Sequence, residues 1–279
     1  MKKSILGKIV VNVMVFIAIL FTIFPLIWVF VFAFLDDRAM FSYPPQLIPN
    51  LLYWDNFIFM VQSTNIVLGM TNSLRVVVVA VVFVVVFASF GAYGIARSSA
   101  SVRKKMYVLL LITQMIPPIT NMIPIYRILL GVGLLNTRIG LSFVYTATSL
   151  PLAMLILIGF YRSAVLELEE AAMIDGCNWF HVFWRVALPL SKPGLVSAVI
   201  FTFALSWNEF IMAMLLITDQ RAQTFQVTLF NILQTQAQAR GRFGVVTAAA
   251  IAGLIPILIV YAIFQKGFMQ GISAGSIKG

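Results

Sequence analysis

Cysteine, histidine and charge are all scarce in this chain, and each scarcity closes off a class of function. The single cysteine, Cys177, leaves no disulfide framework and no cysteine metal cluster. The one histidine, His181, excludes a histidine metal site or a histidine-dependent triad within the chain. Only 10% of residues are charged while 61% are hydrophobic, so an ordinary soluble domain is excluded and an integral membrane protein is indicated. No strand, loop and Gly-Lys-Ser/Thr order is present to cradle phosphates, and no acid, base and nucleophile recur as a catalytic constellation. Neither enzyme chemistry nor a cofactor or metal is therefore expected, and driven transport would draw its energy from a partner. Nine acidic residues face 19 Lys and Arg. In a soluble protein that excess suggests nucleic acid, but basic loops of membrane proteins carry it for topological reasons, so no nucleic-acid partner is expected.

What is plentiful is long apolar runs. They predict an all-α integral membrane protein, a single transmembrane domain over residues 1–279 with six spans at about 9–34, 72–96, 106–126, 137–161, 194–217 and 244–264. The first run follows Lys2, Lys3 and Lys8, is too long for a signal-peptide core and lacks a small-residue cleavage site, so it reads as a retained helix bent at Pro25. Residues 35–70, with Asp36, Asp37, Pro44, Pro45, Pro49 and Asp55, read as an exposed loop, with Tyr53 and Trp54 where an interfacial helix can rest on the membrane. In the second span Ala88, Ala92 and Ala96 form a small-residue stripe that lets another helix approach closely. The third holds Pro117, Pro118 and Pro124, which free backbone carbonyls and predict an irregular stretch facing protein or a water-filled path. The Gln-rich segment 219–242 reads as a polar loop, and the tail 271–279 as too glycine-rich for a helix.

With the N-terminus in the cytoplasm, that side receives Lys2, Lys3, Lys8, Arg97, Arg103, Lys104, Lys105, Arg162, Arg185, Lys192, Lys266 and Lys278, twelve of the 19 basic residues. The opposite side holds no lysine. Both termini and the loop 162–193 are thereby predicted to be cytoplasmic.

That loop has a pattern of its own. Ser163 can cap a helix with Glu167, Glu169 and Glu170 in its first turns, where carboxylates are favoured; Gly176 ends it, in a left-handed conformation. A second helix starts at Asn178, carries Arg185 in its last turn and stops at Leu188, before Pro189. Val165, Leu168 and Ala172 share one face of the first, and Phe180, Phe183, Trp184 and Ala187 one face of the second. These faces either pack on the chain itself or dock on a partner. In the fifth span, Trp207-Asn208-Glu209 places an acid about midway along the helix, where it must face protein or water. Glu209 is either held by a neighbouring helix or belongs to a translocation path, and the three residues point about 100° apart, so they cannot all line one cavity.

Glu170-Ala171-Ala172, then Met173, Ile174 and Asp175 before Gly176, and Val186-Ala187-Leu188-Pro189 further on resemble the EAA signature of ABC transporter permeases. The likeness extends to Asn72-Ser73-Leu74, Ala92-Tyr93 with Arg97, Met115-Ile116-Pro117, Trp207-Asn208-Glu209-Phe210 and the closing Gly271, Gly275 and Lys278-Gly279. Together these look like the carbohydrate-type permeases, on the side of the maltose transporter's shorter subunit. The resemblance implies a prokaryotic plasma-membrane importer. Its partners are a second, different permease subunit, two ATP-binding subunits and an extracytoplasmic solute-binding protein that delivers a sugar, oligosaccharide or polyol. It also implies that Glu170, Ala171, Ala172, Met173, Asp175, Gly176, Leu188 and Pro189 form the coupling helix that docks on an ATPase subunit, and that the tail with Gly271, Gly275 and Lys278 reaches the ATPase interface. A secondary transporter or channel is the alternative; it usually carries more ionisable groups within its spans.

Overall fold

The computed structural model describes the backbone of residues 5–44, 48–163 and 166–276 and the side chains of 7–44, 48–162 and 168–265. Every regular element described is helical. In chain order these are α1 (Ile5–Ala33), α2 (Asp37–Met40), α3 (Asp55–Ser63), α4 (Ile66–Arg97), α5 (Ala100–Met115), a 3-10 turn (Pro118–Asn121) and α6 (Met122–Gly131). There follow α7 (Arg138–Ser163), α8 (Leu166–Ile174), α9 (Trp179–Val182), a π turn (Phe183–Ala187), α10 (Leu188–Leu190) and α11 (Lys192–Asn208). Last come α12 (Ile211–Leu216), α13 (Phe225–Ile232) with a π turn (Leu233–Gln238), and α14 (Phe243–Ser276).

Four helical stretches among the described residues are long and apolar enough to cross a membrane: Gly7–Ala33, Ile66–Arg97, Arg138–Arg162 and Phe243–Gln265. Two bent pairs, Ala100–Met115 with Pro118–Gly131 at 88° and Trp179–Leu190 with Lys192–Asn208 at 71°, bring the number to as many as 6. The proline-rich third segment is thus broken where irregular backbone was expected, at Ile116 and Pro117, both of which have left helical geometry.

The chain forms two compact units. In the first, residues 1–67 and 228–255, the carbonyls freed at the end of α1 are taken up by Asn56, whose Nδ2 donates to Ala33 at 3.0 Å and Leu35 at 2.9 Å. Gly244 lies so close to this amide that a Cβ there would come within 2.3 Å of Nδ2. Phe34, Trp54 and Phe57 cluster with ring centroids 5.0 to 5.2 Å apart, so the loop carries the short helices α2 and α3, the second starting directly after Tyr53 and Trp54, around an aromatic anchor. Burial and the Asp36 and Asp55 carboxylates raise the Tyr53 phenol above its ordinary pKa.

In the second unit, residues 68–227 and 256–279, the alanine stripe does what its spacing predicts. Ala88, Ala92 and Ala96 are buried against Ala153, Leu157, Ile158 and Ala198. Toward the other end Val76, Ala80, Leu141, Tyr145, Met212 and Leu216 close a second core. Asn72 Nδ2 donates to the carbonyls of Arg221 and Gln223 (3.0 and 2.9 Å), its Oδ1 accepts from Arg138 Nη1 (3.0 Å), and Ser73 Oγ accepts from Phe225 N (2.8 Å). This polar pair staples the turn before α13 to the start of α4.

Two segments depart from expectation. Much of the Gln-rich stretch is helical, as α13 and the π turn Leu233–Gln238. The described part of the glycine-rich tail is helical too: α14 continues through Gly271 and Gly275 to Ser276. Each glycine costs about 1 kcal/mol relative to alanine in a helix, but extension of a long helix pays no new nucleation cost. Lys278 lies outside the described residues.

Candidate coupling loop and translocation cavity

The loop after α7 is built around its glycine corner. Gly176 has φ +90°, which favours a residue without Cβ. Cys177 N donates to Ala172 O at 3.0 Å and Gly176 N to Met173 O at 3.1 Å, the paired bonds that close a helix through a left-handed residue. Asn178 then caps α9, accepting from His181 N at 2.9 Å. Ser163 is the last residue of α7 rather than the cap of α8, which begins at Leu166, and Val165 lies outside the described residues.

The second helix does not stop before Pro189. It widens into the π turn, with Leu188 N bonded five residues back to Phe183 O, and runs on to Leu190. The extra residue in the turn makes room for the ring and the missing N–H that would break a regular helix. Phe183 and Ala187 are buried in the core of the second unit, so this helix is seated on its own protein, while Phe180 faces outward and is 64% exposed.

One residue in this loop is held by a side-chain clamp that the sequence motif does not single out. Glu169 is fully buried. Arg97 Nε donates to its Oε2 at 2.6 Å and Nη2 to Oε1 at 2.5 Å, while Tyr93 OH donates to Oε2 at 3.1 Å. Two parallel guanidinium bonds match the carboxylate fork, and the phenol takes a further lone pair. Glu170, the expected coupling acid, is exposed beside Ala171, and so is Asp175; Ala172 and Met173 are half-buried. The same surface carries Ile174 at 86% and Trp179 at 56% exposure. The available signal for the clamp was Tyr93 and Arg97, four apart on one face at the end of α4.

The helix expected as a fifth span, 194–217, is broken at the residue expected midway along it. α11 ends at Asn208, Glu209 is extended (φ −70°, ψ 126°), and α12 begins two residues later. The Glu209 carboxylate accepts from Met212 N (2.7 Å) and Ala213 N (3.0 Å) at the start of α12, and from Tyr145 OH (2.9 Å). An acid facing the free amides of a helix start is favoured by hydrogen bonding and by the dipole. Gln226 Nε2 donates to Trp207 O at 3.1 Å, satisfying a carbonyl at the break. Trp207 is buried and stacked between Phe203 and Phe225, with centroids 5.8 and 5.7 Å away. Asn208 is exposed and donates back to Ala204 O at 2.8 Å.

Of these three, Glu209 alone lines a cavity of about 490 Å³. Its walls are Gln114, Pro117, Pro118 and Met122 at the first break, Tyr145, Thr148 and Ser149 on α7, and Leu205, Ser206, Ile211 and Met212 at the second. A neighbouring cavity of about 420 Å³ shares Gln114, Pro118, Thr148 and Met212 with it. Apolar helices broken around a largely apolar cavity that also holds Gln114, Tyr145 and Glu209 are an arrangement known from membrane transport proteins.

The comparisons narrow that class. Residues 84–273 match the family described as "Binding-protein-dependent transport system inner membrane component", and the chain belongs to it. It is 33% identical over 279 residues, all of both chains, to a diacetylchitobiose uptake system permease protein of Streptomyces coelicolor. It is 28% identical over 281 residues, again all of both chains, to a trehalose/maltose transport system permease protein of Thermococcus litoralis. A crystal structure of a bacterial ABC transporter involved in the import of alginate shares the fold, with TM-score 0.79 at 23% identity over 94% of this chain and 96% of that one. The protein is thus a multi-pass permease subunit of a prokaryotic binding-protein-dependent importer; ATP hydrolysis lies in separate subunits, and the secondary-transporter alternative is set aside.

Proposed function

We propose that the chain crosses the membrane six times with both termini in the cytoplasm, pairs with a second, different permease subunit, and imports a sugar, oligosaccharide or related polyol. An extracytoplasmic solute-binding protein delivers the solute. The printed substrates of the relatives, diacetylchitobiose and trehalose or maltose, support the carbohydrate class. A second alginate transporter structure, with TM-score 0.64 and described in complex with a sugar-bound periplasmic protein, supports the delivery partner. The 88° bend between α5 and the segment ending in α6 is read as one interrupted span, and the break at Glu209 as lying within another. The path passes Glu209; Trp207 braces the break from the core, and Asn208 lies on a different face.

Residues 162–193 are the coupling element, and the observation that carries this is the clamp beneath an exposed apolar surface. Glu169 locks α8 to the end of α4, while Glu170, Ala171, Ile174 and Trp179 stay open, a surface that water alone does not suit. A groove in each of two ATPase subunits is the fitting partner class: one takes this loop, the other the matching loop of the second permease. Leu188 and Pro189 return the chain to the membrane, and the end of α14, with Gly271 and Gly275, reaches the ATPase side.

Cysteines introduced at Ala171 or Met173 should crosslink to an ATPase subunit in the assembled complex. Gly176→Val, which puts a β-branched residue at φ +90°, should insert normally and lose transport. Normal transport by that variant, or crosslinks that never reach an ATPase, would sink the coupling assignment.

A further inference from the structure

Arg97, Arg103, Lys104 and Lys105 lie where α4 gives way to α5, and they divide into an inward and an outward pair. Arg97 is paired with the Glu169 carboxylate, and Arg103 turns back on the chain, its Nη1 donating to the carbonyls of Ala96 (3.4 Å) and Ser98 (3.1 Å). Lys104 and Lys105 are exposed, and neither forms an ion pair among the described residues. With Ser101, Val108, Leu109 and Ile112 they line a shallow groove of about 490 Å³ along α5. Counted from Ser101, the spacing i, i+3, i+4, i+7, i+8 and i+11 is that of one helix face. It lies opposite Leu110, which packs against the core of the second unit, so the groove faces away from the protein.

The chemistry of the groove is graded along the helix axis. Ser101 and the two lysines occupy the first turns of α5, where the amides of a helix start and two ammonium groups both favour an anion. Val108, Leu109 and Ile112 follow, the last about 10 Å beyond Lys105 at the helical rise per residue. The matching shape is an anionic head on an apolar tail. No acid lines the groove to oppose a phosphate, and a protein partner that covered it would bury two ammonium groups unless it brought acids to meet them. A lipid carries its own counter-charge, and the lysines lie just before the expected third span, 106–126, at the level where basic side chains meet headgroups. We infer that this face of α5 is a binding site for an anionic phospholipid, with Lys104 and Lys105 on the headgroup phosphate, the Ser101 hydroxyl beside them, and an acyl chain along Val108, Leu109 and Ile112. The site goes beyond the transport reading and holds whichever solute is carried.

The test uses the assembled importer, this chain with its partner permease and ATPase subunits, in phosphatidylcholine nanodiscs. The discs hold a trace of photoactivatable phosphatidylglycerol or, separately, of photoactivatable phosphatidylcholine with the same acyl chains. After illumination the labelled peptides are identified, with unlabelled phosphatidylglycerol titrated in as competitor. In wild type, phosphatidylglycerol should label residues 108–112 in preference to phosphatidylcholine, and inorganic phosphate at constant ionic strength should not displace it. A lysine beside an anionic headgroup is worth about 5-fold in binding, so Lys104→Gln should raise the competitor needed for half-displacement by about 5-fold, and Lys104→Gln with Lys105→Gln by about 30-fold. Lys104→Arg with Lys105→Arg should label as wild type does. Both lysines are exposed, so these variants should assemble with an unchanged thermal midpoint. Equal labelling of wild type by the two lipids, which needs no variant to fold, would reduce the groove to ordinary surrounding lipid and overturn the site. Undiminished phosphatidylglycerol labelling of the double glutamine variant would overturn it too. Displacement by inorganic phosphate would leave an anion site with no lipid requirement. Labelling by neither lipid, with a cysteine at Val108 crosslinking to the second permease, would make the face a subunit interface and sink the lipid assignment.

Discussion

Glu169, in the loop after α7, is held by a guanidinium and a phenol from α4, whereas Glu209, at the break between α11 and α12, is held by the backbone amides of the next helix and a phenol from α7. Glu169 lies within α8 and Glu209 at a break between helices, yet each is tied to another helix by a tyrosine. The difference lies in who supplies the charge. At Glu169 the compensation is a full opposite charge on a different element, so the pair ties α8 to α4 and has no substitute if one member is lost. At Glu209 the compensation is mostly local, from amides that the break itself exposes, so the carboxylate makes the break self-supporting. A side-chain clamp suits a loop that must move as one body with its helix; a local cap suits a kink that must persist while its neighbours shift.

The largest effect should come from breaking the clamp on one side. Arg97→Met leaves a buried carboxylate without its cation, a change that typically costs about 3–5 kcal/mol, and it should appear as a lowered thermal midpoint and reduced yield. Replacing both members, Arg97→Met with Glu169→Leu, should recover much of that stability without recovering transport. If the double variant transports normally, the clamp is a packing device with no part in coupling.

Tyr145→Phe tests the other site. It removes a hydrogen bond to a charged acceptor, worth about 1.5–3 kcal/mol, but leaves the two amide bonds to Glu209 in place. Its loss should therefore be smaller than that of Arg97→Met by the same thermal measurement; an equal or larger loss would show that the amides do not sustain the break alone. Glu209→Gln should cost less again, about 0.5–2 kcal/mol, as for other weakened helix caps, with the relative uptake of different neutral sugars unchanged. A changed sugar preference would make the carboxylate a solute contact rather than a cap.

What could be read beforehand follows the same division between local and distant causes. Pro117 and Pro118, Gly176, Asn178 and the stripe at Ala88, Ala92 and Ala96 act through their own backbone chemistry or spacing, and the structure has them acting as those properties predict. The break at Glu209 carries no proline or glycine, and its cause includes Tyr145, 64 residues away in sequence, so spacing alone reads straight helix there. The choice between Glu169 and Glu170 likewise depends on where α4 delivers Arg97. Pro189 misled in the opposite sense, because a π turn absorbed a residue that ordinarily ends a helix. In the loop the glycine corner was legible, whereas the clamp left only the spacing of Tyr93 and Arg97 as its sign.

The smallest effect should be at Asn208, next to Glu209 in sequence yet on another face. Its side chain donates to Ala204 O, the carbonyl that its own backbone N–H already addresses at helical spacing, and it is exposed. Asn208→Ala removes that redundant bond and gains helix propensity of roughly 0.6 kcal/mol, so the two should nearly cancel and stability should stay within about 0.5 kcal/mol of wild type. Uptake of a neutral sugar should be unchanged as well, since no part of Asn208 lines the cavity. A tenfold fall in uptake at unchanged stability would place the amide in the path once the second permease is present. The path would then run along the exposed face of α11 as well as through the cavity, and Glu209 would no longer mark its side of the span alone.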